Sequence, residues 1–259
     1  MLTDSHPYAQ QLPAATERLT ALEVRAAPAV PRSPYLACKG ALDFVLAALV
    51  LVLSAPAVLV AVVLVRLTSR GPVFYSQTRL GLGGRPYTIW KIRTMHHNCE
   101  SRSGPQWSKP GDPRITPFGR ILRKTHLDEL PQLWNVFRGE MSLVGPRPER
   151  PEFVPQLERV IPHYRRRLEV RPGMTGLAQI QLPADTDLAS VRIKLAYDLY
   201  YVEHAAFWLD LRILVGTIFY VLGVPRELRR KLVLIPQRET IEGAYRQLRS
   251  DAQPLAAAV

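Results

Sequence analysis

From Phe44 to Val65 the chain reads FVLAALVLVLSAPAVLVAVVLV, 22 residues in which Ser54 is the only polar side chain. A helix of that length rises about 33 Å, enough for a bilayer core of roughly 30 Å. Ser54-Ala55-Pro56 lies at its midpoint. Pro56 has no N–H to give the Val52 carbonyl, so the axis is expected to bend there, and each half is only about 15 Å long. Arg32 and Lys39 stand before the run, and Arg66, Arg70 and Arg79 after it. A spanning helix would carry one of these basic clusters across the membrane. A re-entrant helix-break-helix hairpin over residues 34–68, with Ser54 and Pro56 at the break, keeps both ends on the cytoplasmic side. Its cost is non-helical backbone at membrane depth, which the Ser54 hydroxyl could help to satisfy. Spanning and re-entrant forms both remain open on these residues.

The charge balance says what such a chain meets. Lys and Arg number 34 against 22 Asp and Glu, a formal net charge of +12. The partner is therefore expected to be anionic: nucleic acid, lipid headgroups or a phosphorylated substrate. Nucleic acid fits poorly, because the basic residues do not interleave with an aromatic platform and the apolar run has no use there. Cys38 and Cys99 form no metal or disulfide pattern, and His96-His97 would point apart in either regular structure. The polar, Pro- and Ala-rich residues 1–33 are expected to be a disordered tail without a signal-peptide core, residues 69–235 the catalytic domain, and 236–259 a C-terminal tail.

Val73–Arg79 and Tyr87–Arg93 are β-prone runs around a Gly-rich turn and predict a short hairpin. Those glycines match neither a dinucleotide fingerprint nor a Walker loop. Residues 96–115 read as a polar surface loop. Pro151–Glu169 and Asp187–Glu203 read as helices, Arg171–Gly176 as a tight turn. Leu209–Val224 is apolar but short for crossing, a buried or interfacial helix followed by Arg226, Arg229, Arg230 and Lys231. The fold class is α+β, mostly helical and membrane-associated, with interfacial amphipathic helices.

The densest chemistry lies in TPFGRILRKTHLDELPQLWNVFRGEMSLVGPRP, Thr116 to Pro148. Leu130, Leu133, Trp134 and Phe137 share a helical face, and Gly139 supplies a stop. The spacing predicts a helix starting at Asp128 as N-cap, with Pro131 in its first turn and the carboxylate held ionised by the helix dipole. Arg120, Arg123 and Lys124 precede the acids. Arg147, clamped between Pro146 and Pro148, follows them as a stiffly aimed guanidinium suited to phosphate. An Asp-Glu pair alone would more often be a cap paired with surface arginines.

GPVFYSQTRLG, YTIWKIRTM, the stretch just quoted, RPGMTGLAQ and YDLYYVEH, together with the Ser-x-Pro break, resemble the bacterial sugar transferase family of monotopic polyprenol-phosphate phosphoglycosyl transferases. The resemblance covers Lys39 to Thr217, in order. It implies transfer of a phosphosugar from a nucleotide diphosphate sugar, a UDP-sugar by expectation, to undecaprenyl phosphate, with UMP released. This is a first membrane step of exopolysaccharide or glycan assembly at the cytoplasmic face of the bacterial inner membrane. In the family the Asp of the pair is the nucleophile, here Asp128, with Glu129 as metal ligand or positioning group. Mg²⁺ on Asp128 and Glu129, with Arg123, Arg147, Arg171, Pro146, Pro148 and Lys91, would hold the diphosphate. Anionic lipids are expected partners, and a homodimer is left open. The family often continues Gln-Val-Asn-Gly-Arg where this chain reads Gln179-Ile180-Gln181-Leu182-Pro183-Ala184, so the sugar stays undetermined. The chain resembles the minimal catalytic form rather than larger members with added spanning helices. A non-catalytic polybasic scaffold of a polysaccharide assembly complex is the alternative, motivated by the +12 charge.

Overall fold

A computed structural model describes residues 34–99, 111–183 and 187–252, with side chains to 248. The tail expected over 1–33 and most of the loop expected over 96–115 lie outside the described residues. The apolar run belongs to α1, Pro34–Thr68, a single 35-residue helix that contains Pro56. The re-entrant reading placed a non-helical break at Ser54–Pro56 and the spanning reading a kinked helix; the described backbone stays helical through the proline. Pro56 removes one donor, and Ser54 Oγ donates to the Leu51 carbonyl at 3.3 Å, one residue before the orphaned Val52 carbonyl.

Asp43, Ala47, Leu51, Ser54, Val58, Ala61 and Val65 are among the less exposed positions along α1. Their spacing of three and four residues is one continuous helical stripe, so a single side of α1 rests on the rest of the molecule along its whole length. Val45, Leu49, Val52, Leu53, Leu59 and Val63 stand exposed on the other side. Ala47 joins the main core, whereas Ala61 and Val65 pack with Ile92 and Leu122. Arg93 Nη2 then donates to the Ser69 carbonyl at 3.0 Å and to its hydroxyl at 2.7 Å, fixing the helix exit.

The expected hairpin forms. β1, Phe74–Leu80, pairs antiparallel with β2, Pro86–Ile92, in a register that sets Tyr75 opposite Lys91 and Arg79 opposite Tyr87. Alternation puts Ile89 and Lys91 on one face, toward the acid-bearing turn. α2, Pro117–Thr125, starts with Thr116 Oγ1 accepting from Gly119 N at 2.9 Å. It ends at His126, which adopts the left-handed conformation.

A second pairing was not legible as such. β3, Ser142–Val144, runs parallel to β4, Gly173–Thr175, so the segment read as a tight turn is a strand. Gly145 N donates to the Thr175 carbonyl and Gly173 N to the Pro146 carbonyl, both at 2.9 Å. A Cβ on Gly145 would stand 2.4 Å from the Arg171 carbonyl oxygen, and one on Gly173 2.1 Å from Gly145 N. These glycines are there for space.

Pro151–Glu169, expected as one helix, is α4, Val154–Val160, and a 3₁₀ turn over Tyr164–Glu169. Pro162 and the left-handed His163 separate them. α5 spans Leu177–Gln181, so the Gln-Ile-Gln departure is helical. α6, Leu188–His204, begins at a capping box between Asp187 and Ser190 and lines both main core clusters. α7, Phe207–Val221, and α8, Arg226–Leu232, leave Phe207, Trp208, Ile218, Leu222, Leu228 and Leu232 exposed. The segment set aside as a C-terminal tail contains α9, Arg238–Ala252, whose Ile241 is fully buried and whose Tyr245 packs against both clusters.

Candidate active site

Asp128 and Glu129 sit in a 3₁₀ turn, Leu127–Gln132, entered from the left-handed His126 and followed by α3, Leu133–Phe137. The helix start expected at Asp128 is therefore displaced to Leu133, and Asp128 is inside the tighter turn rather than its N-cap. Pro131 lies within that turn, and the α ladder begins after it. Asn135 anchors the unit, its Nδ2 donating to the Thr88 carbonyl and to Glu140 Oε2, each at 2.7 Å.

Glu129 is engaged twice through one oxygen. Lys91 Nζ donates to its Oε1 at 2.6 Å, and Arg147 Nη2 donates to the same oxygen at 2.8 Å. One carboxylate thus ties together β2, the turn and the Pro-Arg-Pro loop. Burial opposes its ionisation, but the Arg147 and Lys91 charges and their hydrogen bonds outweigh burial and hold Glu129 well below the ordinary range. Arg147 is 41% exposed, so solvent screens its share of the pair more than that of Lys91, at 18%.

Asp128 is the opposite case. Its side chain makes no hydrogen bond among the described residues, yet only 7% of the residue is exposed. Burial, and then the Glu129 charge beside it, raise its pKa above the ordinary 3.8, against the pull of Lys91, Arg123 and His126. The helix-dipole argument for a strongly stabilised carboxylate therefore gives way to burial. The result is a carboxylate with free lone pairs in a cationic field, which suits a nucleophile or a ligand for a hard dication.

The loop carrying Arg147 is braced through its backbone. The Pro146 carbonyl is held by Gly173 N, the Arg147 carbonyl accepts from Arg167 Nη2 at 3.0 Å, and the Pro148 carbonyl accepts from Arg79 Nη1 at 2.9 Å. Arg167 is itself buried against Asp198 at 2.7 Å, Glu149 at 3.1 Å and the Tyr164 hydroxyl at 2.7 Å. Sequence reasoning had Arg79 as a membrane-flanking charge and placed Arg167, last of the run Arg165-Arg166-Arg167, within the helix expected over Pro151–Glu169; both brace this loop. The Arg-Arg-Arg run hid which arginine is buried.

Arg123 reaches Thr94 Oγ1 at 2.9 Å and its charge is felt at Asp128, so Lys91, Arg123 and Arg147 all lie near the acids. Arg171 differs. Its guanidinium lies against Gly40 on α1, where an added Cβ would come to 3.0 Å of Nη1, and no described contact joins it to Asp128, Glu129 or Arg147. Arg79, Lys91, Gln132, Arg147 and Pro148 line a small depression beside Glu129.

A long apolar helix thus lies against a domain whose paired acids sit among braced cations. The family itself comes from comparison. Residues 34–224 match the family described as Bacterial sugar transferase, and the chain belongs to that family. It is 42% identical over 193 residues to a UDP-N-acetylgalactosamine-undecaprenyl-phosphate N-acetylgalactosaminephosphotransferase of Aeromonas hydrophila, covering 74% of this chain and 45% of that protein. It is 45% identical over 184 residues to a UDP-glucose:undecaprenyl-phosphate glucose-1-phosphate transferase of Caulobacter vibrioides, covering 70% and 68%. An exopolysaccharide production protein of Rhizobium leguminosarum is 41% identical over 188 residues, covering 71% and 94%. The chain thus spans less than half the length of the Aeromonas relative and most of the Rhizobium one.

Proposed function

We propose that this protein transfers a sugar phosphate from a UDP-sugar to undecaprenyl phosphate through a covalent intermediate on Asp128. The names of its relatives support the substrate classes. The observation that carries the assignment of roles is the contrast within the acid pair: Glu129 Oε1 holds two cations while Asp128 is left unpartnered.

In the first half-reaction an Asp128 oxygen attacks the phosphorus that bears the sugar. The new O–P bond makes an acyl phosphate, and the P–O bond to UMP breaks with its electron pair leaving on UMP. In the second, an oxygen of undecaprenyl phosphate attacks the same phosphorus and Asp128 departs as a carboxylate, giving the diphosphate-linked product. Neither step needs a side-chain proton donor. Arg147 and Lys91, held in place by Glu129, and Arg123, held by Thr94, offset negative charge spread over the phosphoryl oxygens.

Mg²⁺ fits this donor set. Asp128 is a carboxylate oxygen donor without a hydrogen-bond partner among the described residues, only 7% exposed. That matches an ion usually held by one or two carboxylates plus water and substrate phosphates. Asp128 would hold it; Glu129, already bearing two cations on Oε1, fits less well. When bound, such an ion neutralises diphosphate charge.

The re-entrant topology belongs to the same reading. Both ends of α1 rest on one domain, along a single stripe, and basic residues stand at both ends. Exposed Trp208, Ile218, Leu222, Leu228 and Leu232 extend the apolar surface, so the bilayer would be met by α7 and α8 as well. Incubating the full chain in detergent with Mg²⁺, undecaprenyl phosphate and a panel of UDP-sugars is expected to release UMP, and Asp128→Asn to abolish it. Unchanged turnover in that variant overturns the assignment.

A further inference from the structure

At the start of α1, where the apolar run begins, three charged side chains are buried together. Lys39 is 7% exposed, Asp43 6% and Asp210 of α7 4%. Lys39 Nζ contacts Asp210 Oδ2 and lies 3.4 Å from Asp43 Oδ1. Tyr35 donates to Asp210 Oδ2 at 2.6 Å, and Tyr201 of α6 lies 2.8 Å from Oδ1. Burying charge is costly, and a single ion pair would have been enough to hold two helices together. A second acid therefore calls for an explanation.

Its contacts supply one. Asp43 does not stop at Lys39: Ser142 Oγ donates to its Oδ2 at 2.7 Å, and the Leu143 amide approaches its Oδ1 at 3.4 Å. Both belong to β3, which runs straight into Gly145-Pro146-Arg147. Tyr201 also reaches the Val144 carbonyl at 3.1 Å. The same β3 is paired with β4, and Arg171, just before β4, lays its guanidinium against Gly40 between Lys39 and Asp43. The helix face, the strand and the arginine loop are thus one connected polar unit.

We propose that Asp43, seated by Lys39 and Asp210, is a positioning residue that sets β3 against α1 and thereby places Arg147 over the catalytic turn. Asp43 does not touch the reacting atoms; it acts through the strand four residues ahead of the guanidinium. The proposal rests on the phosphoglycosyl transfer reading and adds to it that the seat of the apolar helix is coupled to the site's chemistry.

Asp43→Asn tests this cleanly. Lys39 keeps Asp210, and the buried cluster loses its excess negative charge, so the fold is expected to hold. Displacing a group that acts in the transition state costs rate more than ground-state binding, so UMP release should fall about 10-fold or more with the UDP-sugar KM within about 2-fold. In an Arg147→Ala background the same substitution should cost less than about 2-fold, because the group it positions is gone. Ser142→Ala, which leaves the ion pairs intact, should show the same non-additivity with a smaller loss. Hydrogen exchange at residues 142–147 without substrate should quicken in both variants. Additive losses in the double variants, or losses that track a lowered melting temperature, overturn the proposal, as does unchanged exchange. Should the unaltered chain release no UMP, the functional reading fails, and exchange still decides whether Asp43 holds β3.

Discussion

Gly173→Ala is expected to damage both the fold and the site, by an amount the geometry sets. Gly173 does not lie in the left-handed region, so alanine meets no backbone penalty of its own. What it meets is backbone: its Cβ would stand 2.1 Å from Gly145 N, 2.3 Å from the Thr175 carbonyl oxygen and 2.6 Å from the Gly145 carbonyl oxygen. None of these is the end of a flexible side chain, so β3 and β4 must part. Overpacking costs about 1–3 kcal/mol. The two bonds that hold the segments, Gly145 N to Thr175 and Gly173 N to Pro146, add about 1 kcal/mol each if broken. Together these give about 3–5 kcal/mol, a fall in melting temperature of roughly 6–20 °C at 2–4 °C per kcal/mol. Because Pro146 is one of the two partners, UMP release should fall with it. Gly139→Ala is the control: at φ +73° with nothing within 4 Å of its Cβ, it should cost only about 1–2 kcal/mol of left-handed backbone. Melting in detergent with turnover measured alongside decides the matter. A Gly173→Ala protein as stable and active as the unaltered one refutes the claim that close β3–β4 contact places the arginine loop.

Three further outcomes follow from the acids and the proline. A carboxyl raised on folding contributes stability that is complete below its unfolded pKa of 3.8 and is lost as pH rises through the folded value. Asp128→Asn should therefore melt no lower than the unaltered chain at pH 7 while releasing no UMP, and UMP release by the unaltered chain should decline as pH falls through the raised value; a markedly lower melting point for the variant contradicts this. Glu129 is lowered, so its contribution is present above 4.5 and lost as pH falls through the folded value. Glu129→Gln should cost about 1.5–3 kcal/mol at pH 7, a gap that closes only in strong acid, as melting curves across pH will show. Pro56→Leu restores a donor for the Val52 carbonyl and should favour a straight, spanning α1. With Cys99 replaced by serine, exposed Cys38 should then become labelled by an impermeant thiol reagent outside whole cells, while in the Pro56 protein it stays protected.

What the sequence conveyed divides along physical lines. Local signals were legible: the β1–β2 hairpin from its β-prone runs and glycines, α6 from Asp187 onward, and the bilayer-length apolar run. Non-local ones were not. Nothing within Ser142–Val144 or Gly173–Thr175 announces that they pair, because three-residue strands carry no period and their glycines read as turn signals. The acids, Lys91, Arg123 and Arg147 were found as a set, since charge density and proline clamping show in sequence. Arg171 was drawn toward the phosphate by the same reasoning, and the fold lays its guanidinium against Gly40. Burial of Lys39, Asp43, Asp210 and Arg167 gave no signal, for a charged residue in sequence looks solvated until its partners, up to 175 residues away, are placed beside it.

The division of labour between Asp128 and Glu129 then has a geometric origin. In a 3₁₀ turn successive side chains are about 120° apart, so two adjacent acids cannot share one set of partners. β2 and the braced loop bring Lys91 and Arg147 to one side of the turn, and Glu129 takes both. The neighbouring acid is left inside the same cationic field without being consumed by it. Had the segment been a regular helix capped by Asp128, backbone amides would have competed for that carboxylate and lowered its pKa and its reactivity together. Because the 3₁₀ turn runs to Gln132 and the helix starts at Leu133, the carboxylate stays out of a cap, and the lone pairs that a cap would use remain unspent.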